Sequence, residues 1–157
     1  MNTTLPAAVE SPRHILVAED DSSDAFFLQR AFEKAGFAVR LHFTKDGQEV
    51  IDYLRGAEPF SDRQAHPLPH LLLLDLKMPR LNGFDVLRWI KEQPKLKRLL
   101  VIIFSSSEEV QDINQAYDLG ANSYVAKPHA FEDLQGIVDR LKKYWLEVNK
   151  KPDYLLG

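Results

Sequence analysis

A doubly wound α/β domain, one parallel sheet with helices on both faces, is the fold class that this sequence predicts. Three observations carry the prediction. Short apolar runs that read as buried strands alternate strictly with segments of helical spacing, the connections between them are short, and all but the last helical segment close on a Gly or Pro stop signal. Parallel strands need crossovers and crossovers are right-handed, so the alternation leaves few other arrangements.

The first strand is HILVA at 14–18, and the helical segment DAFFLQRAFEKAG behind it closes on Gly36. Asp21 reads as a loop acid and Asp24 as a first-turn partner of the helix dipole, with the helix opening near Ser22 or Ser23. AVRLHF at 38–43 is the second strand, and GQEVIDYLRG is a second helix ending at Gly56. Pro, Gly and polar residues gather in GAEPFSDRQAHPLP at 56–69, which reads as a loose connection, as does the segment 1–13. HLLLL at 70–74 is the third strand. Each leucine in it contributes about 1.5–3 kcal/mol on burial, so the run belongs inside the domain and carries the next residue, Asp75, to the edge of that interior. GFDVLRWIKEQ stops before Pro94, LLVIIF at 99–104 is the fourth strand, EEVQDINQAYDLG closes on Gly120, and SYVA at 123–126 is the fifth strand. FEDLQGIVDRLKKYWLEV follows as the last helix. The implied organisation is a flexible segment 1–13, one domain over 14–148 and a tail at 149–157.

Composition narrows the function classes. A chain of 157 residues has room for one domain that buries roughly 70% of its unfolded surface. Hydrophobic content of 45% with 27% charged residues and a net charge of −3 leaves no basic footprint for nucleic acid. Zero cysteines exclude a disulfide framework or a thiolate metal site. The start MNTTLPAAVESPR lacks the pattern of a signal peptide, and no apolar run approaches the roughly 20 residues of a membrane helix, so a cytoplasmic protein is expected.

In a doubly wound sheet, ligands bind outside the carboxyl ends of the strands, where strand order reverses. The residues just past each apolar run are Glu19, Asp20 and Asp21, then Asp75, then Ser105, Ser106 and Ser107, then Lys127 and Pro128. Carboxylates brought together there repel by about 4 kcal/mol per pair at 4 Å. A hard divalent cation offsets that, and Mg²⁺ takes carboxylates, a carbonyl, waters and phosphate oxygens. With an ammonium and a hydroxyl alongside, the set is equipped for a carboxylate that accepts a phosphoryl group, with Asp75 as the nucleophile.

Each member alone has an ordinary structural reading, a strand-end acid as a cap or loop residue and Lys127 as a surface lysine, and Ser105 alone is a weaker signal still. Their joint order is the signal. A haloacid-dehalogenase-type phosphatase needs a second acid two residues after its nucleophile, and that position is Lys77. A flavodoxin-like cofactor binder needs a phosphate-cradling loop where Glu19, Asp20 and Asp21 would repel phosphate, and neither GxxxxGK[ST] nor GxGxxG occurs. His14, His42, His66, His70 and His129 lack metal-ligand spacing and read as surface or strand-edge histidines.

The motifs ILVAEDD, LLLLDLKMPRLNG, VIIFSSS and GANSYVAKP, in this order over 14 to about 142, resemble the response-regulator receiver domains of two-component signalling. The resemblance implies a flavodoxin-like sheet of order 2-1-3-4-5, Glu19 and Asp20 as the acidic pair, Asp75 as the phosphorylated aspartate, and the Lys77 backbone carbonyl completing an Mg²⁺ site. It makes Ser105 the switch hydroxyl, Tyr124 the switch aromatic, Lys127 the phosphate-binding lysine, and Pro128 the proline after a cis peptide bond. It implies a sensor histidine kinase or phosphotransfer protein as donor, self-phosphorylation from small donors and slow self-dephosphorylation, in a signalling domain rather than an enzyme. Glu at 19 and Ser at 105 depart from the commoner Asp and Thr, and Lys77 and Ser107 stand where side chains tune hydrolysis of the acyl phosphate. The segment 56–69, GANSY and YWLEVNKKP are similar to single-domain regulators that include cyanobacterial phytochrome partners.

Along the last helix Phe131, Leu134, Val138, Leu141, Trp145 and Val148 form an apolar stripe, with Ile137 and Tyr144 beside it. The stripe can fold back on its own domain, but the favoured expectation is a two-fold homodimer built from this helix with the fourth helix and fifth strand, the KKPDYLLG tail reaching across, without nucleic acid or membrane contact.

Overall fold

Four consecutive leucines suit a strand covered on both faces, and Leu71–Leu74 are all at most 2% exposed. In the computed structural model, which describes residues 12–36 and 38–154, they form β3. Leu72 and Leu74 join one apolar cluster and Leu71 and Leu73 the other. The remaining elements follow the predicted alternation: β1 (Arg13–Ala18), α1 (Ser22–Lys34), β2 (Val39–Thr44), α2 (Gly47–Arg55), α3 (Gly83–Glu92), β4 (Leu100–Ser105), α4 (Val110–Asp118), β5 (Ser123–Ala126) and α5 (Leu134–Leu141). The five strands are parallel in the order β2-β1-β3-β4-β5. Helices α2, α3 and α4 contribute to the cluster on one face, α1 and α5 to the cluster on the other. Of the segment expected to be loose, residues 1–11 lie outside the described residues, and Arg13 already opens β1.

Register carries this packing to the site. Ala18 is paired with Leu74, and Ile103 with both Leu74 and Tyr124, so Glu19, Asp75, Ser105 and Lys127 leave the sheet along one edge. Strand order reverses between β1 and β3, which puts the crevice between their carboxyl ends.

Three segments differ from the sequence reading. The connection 56–69 is tied down rather than loose: the Arg63 guanidinium donates to the carbonyls of Tyr53 at 2.8 Å, Leu54 at 3.0 Å and His66 at 3.2 Å. Those first two carbonyls belong to the last turn of α2, where helix geometry leaves acceptors without partners. Phe60 and His66 pack on Tyr53, and the Tyr53 hydroxyl donates to the Pro67 carbonyl at 2.9 Å. The last helix opens with a 3₁₀ turn at Phe131–Asp133 and changes to π geometry over Lys142–Val148. Five-residue spacing then replaces the expected three and four, and the Asn149 N–H reaches back to the Tyr144 carbonyl at 2.6 Å. The apolar stripe breaks accordingly. Leu134, Val138 and Leu141 are buried, but Leu146 follows them inside, while Phe131 and Val148 are exposed. Finally, the tail is tied to its own domain as far as Tyr154. Tyr154 packs on its own domain and its hydroxyl donates to the Pro69 carbonyl; residues 155–157 lie outside the described residues.

At the amino edge of the sheet three strand-edge histidines meet. His14 Nδ1 and His42 Nε2 are 3.0 Å apart, and the His14 N–H donates to His70 Nδ1 at 3.0 Å. Burial, then the charges of Lys151 and Arg13, lower His70 to about 4, and burial lowers His14 and His42 as well. Because His70 is held below its unfolded value of about 6.5, the folded state keeps it neutral. Its contribution to stability is therefore full above pH 6.5 and is lost as pH falls toward 4. Denaturant unfolding between pH 7 and 5 is expected to show a loss of about 2 kcal/mol from this group. His70→Gln should flatten that slope; an unchanged slope would sink the assignment.

Candidate functional site

Asp75 follows β3 directly and is 6% exposed. Its N–H donates to the Ala18 carbonyl at 3.3 Å, which extends the β1–β3 ladder to the acid itself. Behind it Gly83 opens α3, its N–H donating to the Leu76 carbonyl at 3.0 Å. A Cβ on Gly83 would lie 2.4 Å from the Asp75 carbonyl oxygen, so only glycine lets the helix start this close to the acid. Asn82 and Asp85 close a reciprocal capping box around that start.

Lys127 arrives from the end of β5, its N–H held by the Ser105 carbonyl at 2.8 Å. Its ammonium donates to Asp75 Oδ2 at 2.8 Å and to Glu19 Oε2 at 2.5 Å, with Asp24 Oδ2 at 3.6 Å. Burial works to lower its pKa, but the hydrogen bonds and charges of Asp75 and Glu19 outweigh it and hold the lysine above its ordinary value. Glu19, nearly buried, is pushed up by desolvation against the pull of Lys127. Asp20 is exposed beside it. Glu19, Asp20 and Asp75 each offer one oxygen, and these oxygens lie within 4.8 Å of one another. An all-oxygen, anionic set of this kind suits a hard divalent cation such as Mg²⁺. Lys77 is exposed, and its N–H donates to Asp75 Oδ1 at 3.3 Å.

Ser105 is fully buried, and its Oγ accepts the Ser107 N–H at 3.2 Å. Ser107 Oγ in turn donates to Asp112 of α4 at 2.6 Å, and the half-buried Tyr124 donates to the Ser107 carbonyl at 2.8 Å. The hydroxyl at the strand end is thus linked to the start of α4, which has no side-chain cap and buries only Ala116. Pro128 follows Lys127 as expected, but among the described residues the cis peptide bond is Glu58–Pro59 and not Lys127–Pro128. The latter takes the form that X-Pro bonds ordinarily favour by about 0.5–1 kcal/mol.

Every strand-end residue singled out in the sequence therefore lies along one edge, and Glu19, Asp20, Asp75 and Lys127 converge directly. For five residues, Asp21, Asp24, Asp112, Phe27 and Phe131, the contacts made at the site went beyond what spacing indicated. Asp24 faces Lys127 from α1 as well as sitting in its first turn, and Asp21 is the N-cap, accepting the Asp24 N–H at 2.9 Å. Asp112 was hidden because its partner is five residues away across a loop, and a stretch SSSEEVQD carries no spacing rule for that contact. Phe27 and Phe131 meet with ring centroids 4.4 Å apart beside the site.

A parallel doubly wound sheet with an acid-rich crevice and a lysine from its last strand defines a receiver domain. Residues 15–139 match the response regulator receiver domain family, and the chain belongs to it. Among its relatives, the probable methanogenesis regulatory protein FilR2 of Methanothrix harundinacea (strain 6Ac) is 38% identical over 143 residues, covering 91% of this chain and 90% of the relative. The phosphorylated cyanobacterial phytochrome response regulator RcpA superposes with a TM-score of 0.84 at 32% identity, over 90% of this chain and 99% of that one. The Mn(2+)-bound form of response regulator Rcp1, a protein of Synechocystis, superposes with a TM-score of 0.81 at 30% identity, over 90% and 99%. Among the described residues no helix is long and apolar enough to cross a membrane.

Proposed function

We propose that this receiver domain is a phosphorylation switch in which Asp75 is the acceptor. One observation carries the reading: the Asp75 carboxylate sits at the strand end with one oxygen on the Lys127 ammonium and a carboxylate oxygen grouped with Glu19 and Asp20. An Asp75 oxygen attacks the phosphorus of a phosphohistidine, the P–N bond breaks, the imidazole leaves with the electron pair, and an acyl phosphate forms. When bound by Glu19, Asp20, Asp75 and the Lys77 carbonyl, Mg²⁺ supplies charge neutralisation for the transferring oxygens. Lys127 holds a phosphate oxygen, Ser105 moves toward it, and Tyr124 releases the Ser107 carbonyl and turns inward. A small donor such as acetyl phosphate serves the same chemistry, and slow self-dephosphorylation ends the signal. The test is intact-mass measurement after acetyl phosphate and Mg²⁺, where one added phosphoryl group is expected; no uptake from either a small donor or a phosphorylated kinase overturns the reading.

The donor is a sensor histidine kinase or a phosphotransfer protein, and the likeness to RcpA supports a phytochrome upstream. The surface beside the site supports protein docking. A cavity of about 290 Å³ opens there, its apolar wall formed by Phe27, Phe104, Phe131 and Leu134 and its polar side by Glu19, Asp24 and Lys127 of the site, with Phe26 and Phe131 more than half exposed. Apolar side chains of a donor helix fit such a pocket. Phe27→Ala with Phe131→Ala is expected to slow transfer from a phosphorylated kinase by about tenfold or more, with acetyl phosphate labelling preserved. Equal loss from both donors would count against docking. At the far end of the last helical segment Tyr144 and Val148 stay exposed, which supports pairing of two copies through it.

A further inference from the structure

Arg80 is the one non-glycine residue with positive φ among the described residues, at 66°. That region is unfavourable for any side chain with a Cβ, and Gly or Asn would hold the same turn with less strain. The side chain shows what arginine adds. Although 67% exposed, it donates from Nε to Asp46 Oδ2 at 3.0 Å and from Nη2 to the same oxygen. Asp46 is 4% exposed, and its other oxygen accepts the Glu49 N–H at 2.9 Å and caps α2. A surface ion pair is ordinarily weak, but here one partner is buried and already fixed by its cap. The neighbouring residues repeat the contact: the Gly47 N–H donates to the Leu81 carbonyl at 3.1 Å, and a Cβ on Gly47 would lie 2.3 Å from that oxygen.

Residues 46–47 thus clasp residues 80–81. The loop from Asp75 to Gly83 is pinned at its start by the Ala18 carbonyl, closed at its end by the Gly83 N–H on Leu76, and held in between by this clasp. Lys77 lies between the first pin and the clasp. We infer that Arg80 is a positioning residue: its pair with Asp46 holds the 75–83 loop in a strained turn that presents the Lys77 backbone carbonyl beside the carboxylates, so that Mg²⁺ finds a preorganised oxygen set. The inference rests on the phosphoacceptor reading above.

The test is Mg²⁺ titration of the full chain, followed by calorimetry and by the amide shifts of Leu76 and Lys77. Arg80→Gly relieves the backbone strain and removes the clasp. Simple electrostatics predicts tighter Mg²⁺ binding once a nearby positive charge is gone, whereas positioning predicts weaker binding. We expect the dissociation constant to rise about fivefold in Arg80→Gly, with thermal stability preserved. Arg80→Lys should recover part of the affinity. Asp46→Asn, which keeps the cap, should weaken binding similarly, and adding Arg80→Gly to it should cost no more, as for two halves of one interaction. Unchanged or tighter binding in Arg80→Gly, while Asp20→Ala loses the metal, overturns the role of Arg80 and leaves the phosphoacceptor reading standing. Unchanged binding in Asp20→Ala overturns the metal set and this role with it.

Discussion

Asp75→Asn is expected to take up no phosphoryl group from acetyl phosphate or a phosphorylated kinase, at any Mg²⁺ concentration. The substitution is nearly isosteric. Its carbonyl oxygen can still accept the Lys77 N–H that now reaches Oδ1 at 3.3 Å, and Lys127 keeps Glu19 as partner. The fold should therefore persist, with a stability change of about 1 kcal/mol or less, since one of two acids crowding Lys127 has gone. What disappears is the anionic oxygen that attacks phosphorus, together with one metal ligand. Intact mass after labelling reads the result. Labelling that persists would move the acceptor to another acid, with the exposed Asp20 first in line.

Removing Lys127 should have the largest effect on stability. Lys127→Ala leaves Glu19 and Asp75, both nearly buried, without the ammonium that holds them. Two carboxylates 4 Å apart repel by about 4 kcal/mol at an effective dielectric near 20, and removing one partner of a buried pair costs about 3–5 kcal/mol. Lys127 retains some solvent contact, so a loss of about 2–4 kcal/mol is expected without divalent metal. Millimolar Mg²⁺ should restore much of it, because binding to the folded state alone adds stability by mass action. Urea unfolding with and without Mg²⁺ distinguishes the causes: a deficit that metal leaves untouched would mean the lysine stem matters for packing and its charge does not. Labelling should survive at a reduced rate, while the response at Ser105 and Tyr124 weakens.

The edge of the sheet was legible because parallel strands in register end together. Once five apolar runs were recognised, the residues after them had to share a crevice, which is how Glu19, Asp75, Ser105 and Lys127 could be grouped across more than a hundred positions. Contacts between loops had no such rule. Arg80 and Asp46 are 34 residues apart and meet only after α2 and α3 are docked. The histidines at 14, 42 and 70 read only as surface or strand-edge residues, and their meeting is a product of strand order, which residue spacing does not encode. The last helix misled for a different reason. A period of 3.6 put Trp145 and Val148 on one stripe extending past the domain, whereas π geometry turns Leu146 inward beside a half-buried Trp145 and leaves Val148 exposed.

The thin hold on α4 also has a kinetic meaning. A helix that buries a single alanine, lacks a side-chain cap and turns Val110 and Tyr117 toward solvent opens locally at small free-energy cost. Its amides should exchange with deuterium through such openings, long before those of β1, β3 and β4, which wait for global unfolding. The protein is then rigid where chemistry occurs and soft one loop away, and a ligand that prefers one arrangement of α4 shifts its population with only a modest difference in affinity.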